Sequence, residues 1–458
     1  MARESLFGAP PTTPASPDVN KKEAQPEAGP VIISAGGDVL LRVKEDDGKE
    51  GFLYRVESTR LRATSSYFEK LLSGSFSEAS HVAVQHDQLR KQYPSMADVP
   101  LDQLPEVTIV DIGRTSKVST IKLITADFLR ALHEQALGNG KDAPPVTNMA
   151  NLAIVADRFD ALATFSRFVH RRKYLQMMDA KAKGKTAATL TEERVRQKLL
   201  IGTLLDHPPW IQLYSKKLIL SGSARWKNEA LDESGGALWW DIPSGIEDEL
   251  IFRRSCILDT INSLQSHFIK LYTSGQRQCR LGYDSSAQCD VYQLGEMIRF
   301  FTRIGTLRLD SAICDSDSTE SYHGDISRLL DSLRQCPSYQ IDKNHSHCGL
   351  RTKMIPLLDH LQSCLGGSAT PYDSGICGEC WRERRAEYAW SQAKRPVLWS
   401  IRSAAPRPGP REPHTKENCL RRHAAVRDMF TAAEHDWSAA DNAAVRPFGT
   451  WAVDRMVA

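Results

Sequence analysis

Cys377, Gly378, Glu379 and Cys380 place two thiols across a two-residue gap ahead of helical sequence, and His347-Cys348 stands at the start of another helical stretch. Tetrahedral zinc takes two thiolates from such a knuckle and two further sulfur or nitrogen ligands from elsewhere, closing a small unit that lacks a deep core. The candidate ligand set is therefore His347, Cys348, Cys377 and Cys380. Around it, Cys336, Cys364, His345 and His360 bring the stretch from 336 to 380 to five cysteines and three histidines. Only one knuckle is present, so the expected cofactor is none, with zinc the single candidate and free buried thiols plus surface imidazoles the competing reading.

Other chemistries lack their local signatures. Gly184-Lys185-Thr186 ends like a phosphate loop, but Asp179 stands where the first glycine belongs and no strand precedes it. The chain has no Gly-x-Gly-x-x-Gly, His-Glu-x-x-His or Gly-x-Ser-x-Gly, which leaves nucleotide, metalloprotease and esterase readings without support. A non-enzyme is expected. Arg171-Arg172-Lys173 and Arg382 to Arg385 are short basic clusters, read as solvated helix faces, so nucleic acid is an unlikely partner.

The elements that must position these residues follow from composition and periodicity. The 458 residues carry 59 Lys and Arg against 56 Asp and Glu, and 41% are hydrophobic, values near those of ordinary globular chains and enough for two or three domains. No apolar run approaches the ~18 residues of a membrane span. The opening residues lack an apolar leader core, so a cytoplasmic or nuclear location and reduced thiols are expected. Residues 1–30 hold six prolines and read as a disordered tail. From Val31 the sequence turns β-like: Val31-Ile32-Ile33 leads through Gly36-Gly37 into a strand ending at Val43, and Phe52 to Val56 completes a hairpin. Ser58 reads as the N-cap of a helix carrying Leu61, Tyr67, Phe68, Leu71 and Leu72, stopped by Gly74. Residues 85–105, interrupted by three prolines, read as a surface insertion before a third strand, Val107 to Val110. Three helical patterns then run to Met178: one ending at Gly138, one from Leu152 to Phe159 and one from Leu162 to Leu175. A linker at 179–191 ends in a capping box, Thr189 with Glu192. Residues 192–395 are mainly helical, and 396–458 read as a Pro-rich linker with a basic helical tail near Glu417 to Trp437.

The span 31–178 resembles a BTB/POZ domain of the filamentous-fungal type. Gly37-Asp38-Val39 is similar to the family's opening strand, Tyr54-Arg55-Val56 with Ser58 and Leu61 to its second strand and first helix, and Ser65-Ser66-Tyr67-Phe68-Glu69-Lys70-Leu71-Leu72 to its signature helix. Phe76-Ser77-Glu78, the 107–110 strand, Phe128-Leu129-Leu132-His133 and Ala153 to Phe159 continue in the family's order. A weaker resemblance to the helical extension of fungal BTB proteins runs from Ile246 through Gly295. The fold class this implies is α+β: a small three-stranded sheet with flanking helices, then a mainly α-helical region. The resemblance also implies self-pairing through Val31, Ile32, Leu40 and Leu41, with the chain itself or another BTB chain as partner. It further implies docking on a cullin scaffold through Phe76 and Glu78, as substrate adaptors of cullin-based ubiquitin ligases do. A transcription-linked scaffold using the basic C-terminal part is the alternative.

Overall fold

The computed structural model describes residues 29–438, apart from 45–50, 74–75, 119, 139, 141, 183–189, 227–235, 280, 282–285, 308–321, 346–347, 367–372 and 402–415. The architecture is mixed α+β and mainly helical. Residues 1–28 of the tail expected at 1–30, Gly74, Thr189 and the Gly184-Lys185-Thr186 stretch lie outside the described residues. Among the described residues, no helix is long and apolar enough to cross a membrane.

The N-terminal sheet has four strands, one more than the sequence suggests: β1 (Val31–Ile32), β2 (Val39–Val43), β3 (Phe52–Val56) and β4 (Glu106–Ile109), in the order β1-β3-β2-β4. Gly36-Gly37 separates β1 from β2, so Val31-Ile32 pairs in parallel with Tyr54-Arg55 at the sheet edge while β2 and β3 form the hairpin. Any Cβ at Gly37 would meet the Val56 backbone within 2.9 Å, so the chain can fold back there only as glycine. Helix α1 (Ser58–Thr64) has Glu57 at its N-cap position, not Ser58. The cap comes from across the hairpin: the Asp38 carboxylate accepts from Ser58 N at 2.7 Å and from Ser58 Oγ at 2.6 Å, satisfying a first-turn donor as a local side chain would.

Helices α2 (Ser66–Leu72), α4 (Ile121–Leu132) and α5 (Val146–Arg158) close the inner face of the sheet. Phe159 sits at their centre, with Phe68 stacked at 5.2 Å, Phe128 at 5.3 Å and Tyr67 edge-on at 5.1 Å. Asp38, Tyr67 and Phe128 thus belong to one folded unit. The last expected helix is two, α6 (Leu162–Arg171) and α7 (Tyr174–Ala182), because Lys173 takes φ 58° between them.

The insertion is not an irregular surface excursion. Residues 77–92 form α3 (Ser77–Gln92), with Ala79, Val82, His86 and Leu89 on its buried face. Two single-turn 3₁₀ segments follow and lay Val99 and Leu104 on Leu40. The outer face of the sheet is therefore covered by the chain itself. Leu40 is 6% and Leu41 1% exposed, one under the insertion and the other in the main core, which removes both from any surface a second copy could meet. Ile32, 49% exposed at the open edge of the sheet, and part-buried Val31 remain.

His133, the residue that caps α4, uses both ring nitrogens: Nδ1 donates to Leu129 O at 2.8 Å and Nε2 accepts from Glu57 N at 3.1 Å. Burial holds its pKa below the ordinary value of 6.5. A folded-state pKa below the unfolded one means stability that is present above pH ~6.5 and lost as the pH falls below it, since only the unfolded chain protonates freely. The melting temperature of the wild-type chain is expected to fall between pH 7 and 5 more steeply than that of His133→Gln. Equal slopes would contradict the assignment.

Helix α8 (Glu192–Leu204) continues the core, its Val195, Leu199 and Leu200 meeting α5. Its N-cap is Thr191, whose hydroxyl accepts from Arg194 N, rather than Thr189. Helices α9 (Pro208–Ser221) and α10 (Ile246–Thr273) follow, and α10, 28 residues long, is the axis of the C-terminal half. Against it pack α9, α11 (Ser286–Arg303) and α16 (Lys416–Thr431), while α12 (Ile326–Arg334) and α13 (Leu350–Cys364) pair beside them. Two short helices, α14 (Gly378–Glu383) and α15 (Arg385–Tyr388), lie between α13 and a strand inside the expected Pro-rich linker, β5 (Leu398–Ser400). That strand pairs in parallel with β6 (Glu434–Asp436) beyond α16, and the pairing ties the segment after α16 back onto α10.

Candidate metal centres

The cysteines of the C-terminal half fall into two classes. Cys256, Cys336 and Cys364 are buried thiols outside any cluster of cysteines, pushed up by burial to about 12, 11 and 12 respectively. Cys364 has His360 Nε2 at 4.0 Å. The other six described cysteines gather with two histidines into two four-residue sets: Cys279, Cys289, His345 and Cys348, and Cys377, Cys380, Cys419 and His423. Within each set the ligating atoms all lie within 4.8 Å of one another. No described cysteine forms a disulfide.

The sequence-derived ligand set is therefore corrected. Cys377 and Cys380 belong to one centre and Cys348 to the other, while His347 lies outside the described residues. Partners of the knuckle come from α16, where Cys419 and His423 are four apart and share a helical face. Cys348 is completed by Cys279 after α10, Cys289 in the first turn of α11 and His345 in a short 3₁₀ turn. Counting only from 336 to 380 excluded four of these eight ligands. The Cys-x-x-x-His spacing at 419–423 would have found two of them, whereas Cys279 and Cys289 carry no such local signal.

Distances set the chemistry. With Zn–S near 2.3 Å and Zn–N near 2.0–2.1 Å, a tetrahedron has S···S edges of about 3.8 Å and S···N edges of about 3.6 Å. In the knuckle centre, Cys380 Sγ and Cys419 Sγ are 3.8 Å apart and Cys419 Sγ is 3.3 Å from His423 Nε2. In the other, Cys279 Sγ and Cys348 Sγ are 3.7 Å apart, and His345 Nδ1 is 3.4 Å and 3.7 Å from them. A disulfide would need about 2.05 Å.

Each centre also prepares a thiolate. The Cys380 thiol donates to Cys377, and with His423 and the Cys380 backbone N–H it holds Cys377 down at about 3 despite burial, while Cys380 itself is pushed up. Burial opposes protonation of His423, but the sulfurs of Cys377 and Cys419 outweigh it and raise the ring to about 9. Burial works against Cys279 too, yet the Ser286 hydroxyl and the Leu281 backbone N–H hold it below the ordinary thiol value. Cys289 is raised to about 12 by burial and by the neighbouring sulfurs of Cys348 and Cys279. Thiolates are the metal-binding form, and in each set one cysteine is shifted toward it.

Supporting contacts seat the knuckle on the body. The Cys377 backbone N–H donates to Tyr388 Oη at 2.7 Å. A Cβ on Gly378 would come within 2.9 Å of Ile211 Cδ1 on α9, so the glycine lets the turn lie against that helix. Arg253 on α10 donates from Nη1 to Ser374 O and Gly375 O, both at 3.0 Å, and lies between the rings of Tyr388 and Trp390 at 5.0 and 4.9 Å. Glu249, fully buried, accepts from Arg253 Nε and Trp390 N, each at 2.8 Å, and from Ser391 Oγ at 2.7 Å.

No family model, curated protein or solved structure matches this chain. The two Cys/His sets could hold a metal ion such as zinc. The other sequence-derived site residues stand apart from them. Phe76 is 50% exposed just before α3, with Ser77 Oγ donating to Glu78 Oε2 at 3.0 Å. The basic clusters contact their own chain: Arg171 pairs with Glu134 at 3.3 Å, Arg172 donates to Glu134 O, and Arg382 pairs with Asp206.

Proposed function

We propose that this chain is a non-catalytic interaction scaffold of the cytoplasm or nucleus, with an N-terminal BTB/POZ-like unit that contacts partners and a helical body closed by structural zinc at Cys377, Cys380, Cys419 and His423. The observation that carries the reading is the composition of that centre: four protein ligands, three of them sulfur, fill a tetrahedron and leave no position for water or substrate. Such closed sets hold structure together, whereas catalytic zinc keeps an open position. Soft thiolates select zinc over magnesium or calcium.

The partners follow from the resemblance over 31–178. The ring of Phe76, held out at the start of α3 with Glu78 two residues on, has the anchor-and-rim form of a docking element and suits a cullin scaffold. Self-association would use the open β1 edge at Ile32. Light scattering on the full chain is expected to give twice the 51.2 kDa chain mass, and Ile32→Asp to return it to the monomer. Phe76→Ala is expected to reduce cullin retention at least tenfold with an unchanged melting temperature. A monomeric wild type whose cullin retention ignores Phe76→Ala would refute the adaptor reading.

A further inference from the structure

We propose that Cys279, Cys289, His345 and Cys348 bind a second structural zinc ion, independent of the knuckle centre and joining the end of α10 to the starts of α11 and α13. The inference rests on the preceding reading only for the identity of the ion. Nothing in the spacing of these residues announces the site: Cys279 and Cys289 lie ten apart and the other two more than fifty residues further on.

Three independent observations converge. The first is the tetrahedral fit of the edges among Cys279, His345 and Cys348, with Cys289 Sγ inside the same set. Cys289 and His345 are fully buried, Cys279 is 3% exposed and Cys348 is half-buried, so three of the four ligands turn their polar atoms toward the set away from water. An isolated thiol such as Cys336 offers its Sγ only a carbonyl at 3.7 Å.

The second is the shared form of the two centres. In each, the first cysteine takes a backbone N–H from two or three residues further along, Leu281 to Cys279 and Cys380 to Cys377. A turn that aims an N–H at sulfur fixes the direction of that sulfur within the set. The loop is fixed from outside as well: Asp290 accepts from Gln278 N and Cys279 N at 2.8 and 2.9 Å, and Tyr272 Oη donates to Cys348 O at 3.2 Å. His345 turns Nδ1 inward and leaves Nε2 3.9 Å from the Asp342 carboxylate, the outer-shell partner that fixes a ligating imidazole.

The third is what the segments lack. Residues 274–289 and 337–349 are polar, with Leu281, Tyr283, Tyr339 and Ile341 their only large apolar side chains. Segments so poor in apolar area cannot repay the cost of ordering from burial alone, and a metal supplies that free energy directly. Binding releases the remaining thiol protons to solvent. Three thiolates and a neutral imidazole around Zn²⁺ leave one net negative charge, and the Lys353 ammonium lies on the Cys348 side.

The test is metal analysis of the full chain, purified with zinc present and passed over chelating resin. Two equivalents of zinc per chain are expected, falling to one in Cys289→Ser, to one in Cys380→Ser and to none in the double variant. A wild type holding one equivalent that survives Cys289→Ser and is lost in Cys380→Ser overturns this inference and leaves the preceding reading intact. One equivalent lost only in Cys289→Ser supports the second centre and overturns zinc at the knuckle, and none overturns both. Should the serine variants not fold, cobalt(II) titration of the stripped wild type decides: tetrahedral thiolate bands are expected to rise to two equivalents and to change in His345→Cys. An end point at one equivalent with bands unaltered in His345→Cys overturns the inference.

Discussion

Stripping the full chain with a strong chelator at pH 7 is expected to lower its melting temperature by at least about 10 °C, with loss of helical signal from the C-terminal half. An ion held with free metal at a thousand times its Kd adds about 4 kcal/mol of stability per site. Each kcal/mol is worth about 2–4 °C in domains of 150–250 residues, so one centre is worth about 8–16 °C and the two together exceed the expected minimum. Elements around the knuckle are most affected, because Cys419 and His423 hold α16 against α14 across 39 residues of chain. Acid is expected to act as the chelator does. Bound thiolates carry no proton, whereas free thiols in the unfolded chain titrate near pH ~8.5. The unfolded state therefore binds more protons, and metal-derived stability declines as pH falls from 7 to 5. A melting temperature indifferent to chelator would contradict a structural role for either centre.

The second large effect is expected at Glu249. Its carboxylate and the Arg253 guanidinium are 0% and 1% exposed in their side chains, 2.8 Å apart and one helical turn from each other. Glu249 also accepts from the 390–391 backbone, and Arg253 holds the carbonyls just before the knuckle. Glu249→Ala removes one partner and leaves a buried cation without its counter-charge and the Trp390 and Ser391 N–H groups without their acceptor. Breaking such a pair costs about 3–5 kcal/mol. Replacing both members with apolar residues of similar volume is often far less harmful, so Glu249→Leu with Arg253→Met is expected to recover part of the loss. Chemical denaturation of the wild type, Glu249→Leu, Arg253→Met and the double variant gives the comparison. If the double variant is as unstable as the two single losses added together, the pair acts through separate contacts rather than as one buried unit. Zinc content measured in the same samples shows how far the knuckle depends on its seat against α10.

The sheet and its inner helices were legible because their signals are local. The Val39 to Val43 and Phe52 to Val56 runs are β-branched and bounded by turn residues, and Leu129 and Leu132 recur at helical spacing. Helix α3 was missed because its apolar positions, Ala79, Val82, His86 and Leu89, are few and separated by polar residues. Leu89 packs with Leu40 on the outer face of the sheet and Val82 joins the main core, and only that packing makes these positions a helix face. Caps misled for a similar reason: the acceptor for α1 is Asp38, twenty residues before Ser58 and visible only after the hairpin closes. β5 was hidden among prolines because its partner, β6, lies beyond α16.

The amino-acid sequence by itself determined that this chain is an α+β protein with a strand-rich start, a long helical continuation and a cysteine-rich C-terminal half holding a Cys-x-x-Cys turn. Those properties depend on neighbours within a few residues, where periodicity, turn chemistry and ligand spacing act. Which cysteines meet was decided by the tertiary structure alone. Cys348 stands far nearer in sequence to Cys377 than to Cys279, yet packing around α10 brings Cys279 to 3.7 Å and gives Cys377 to α16. A coordination shell is set by distance in space, and chain separation does not enter it.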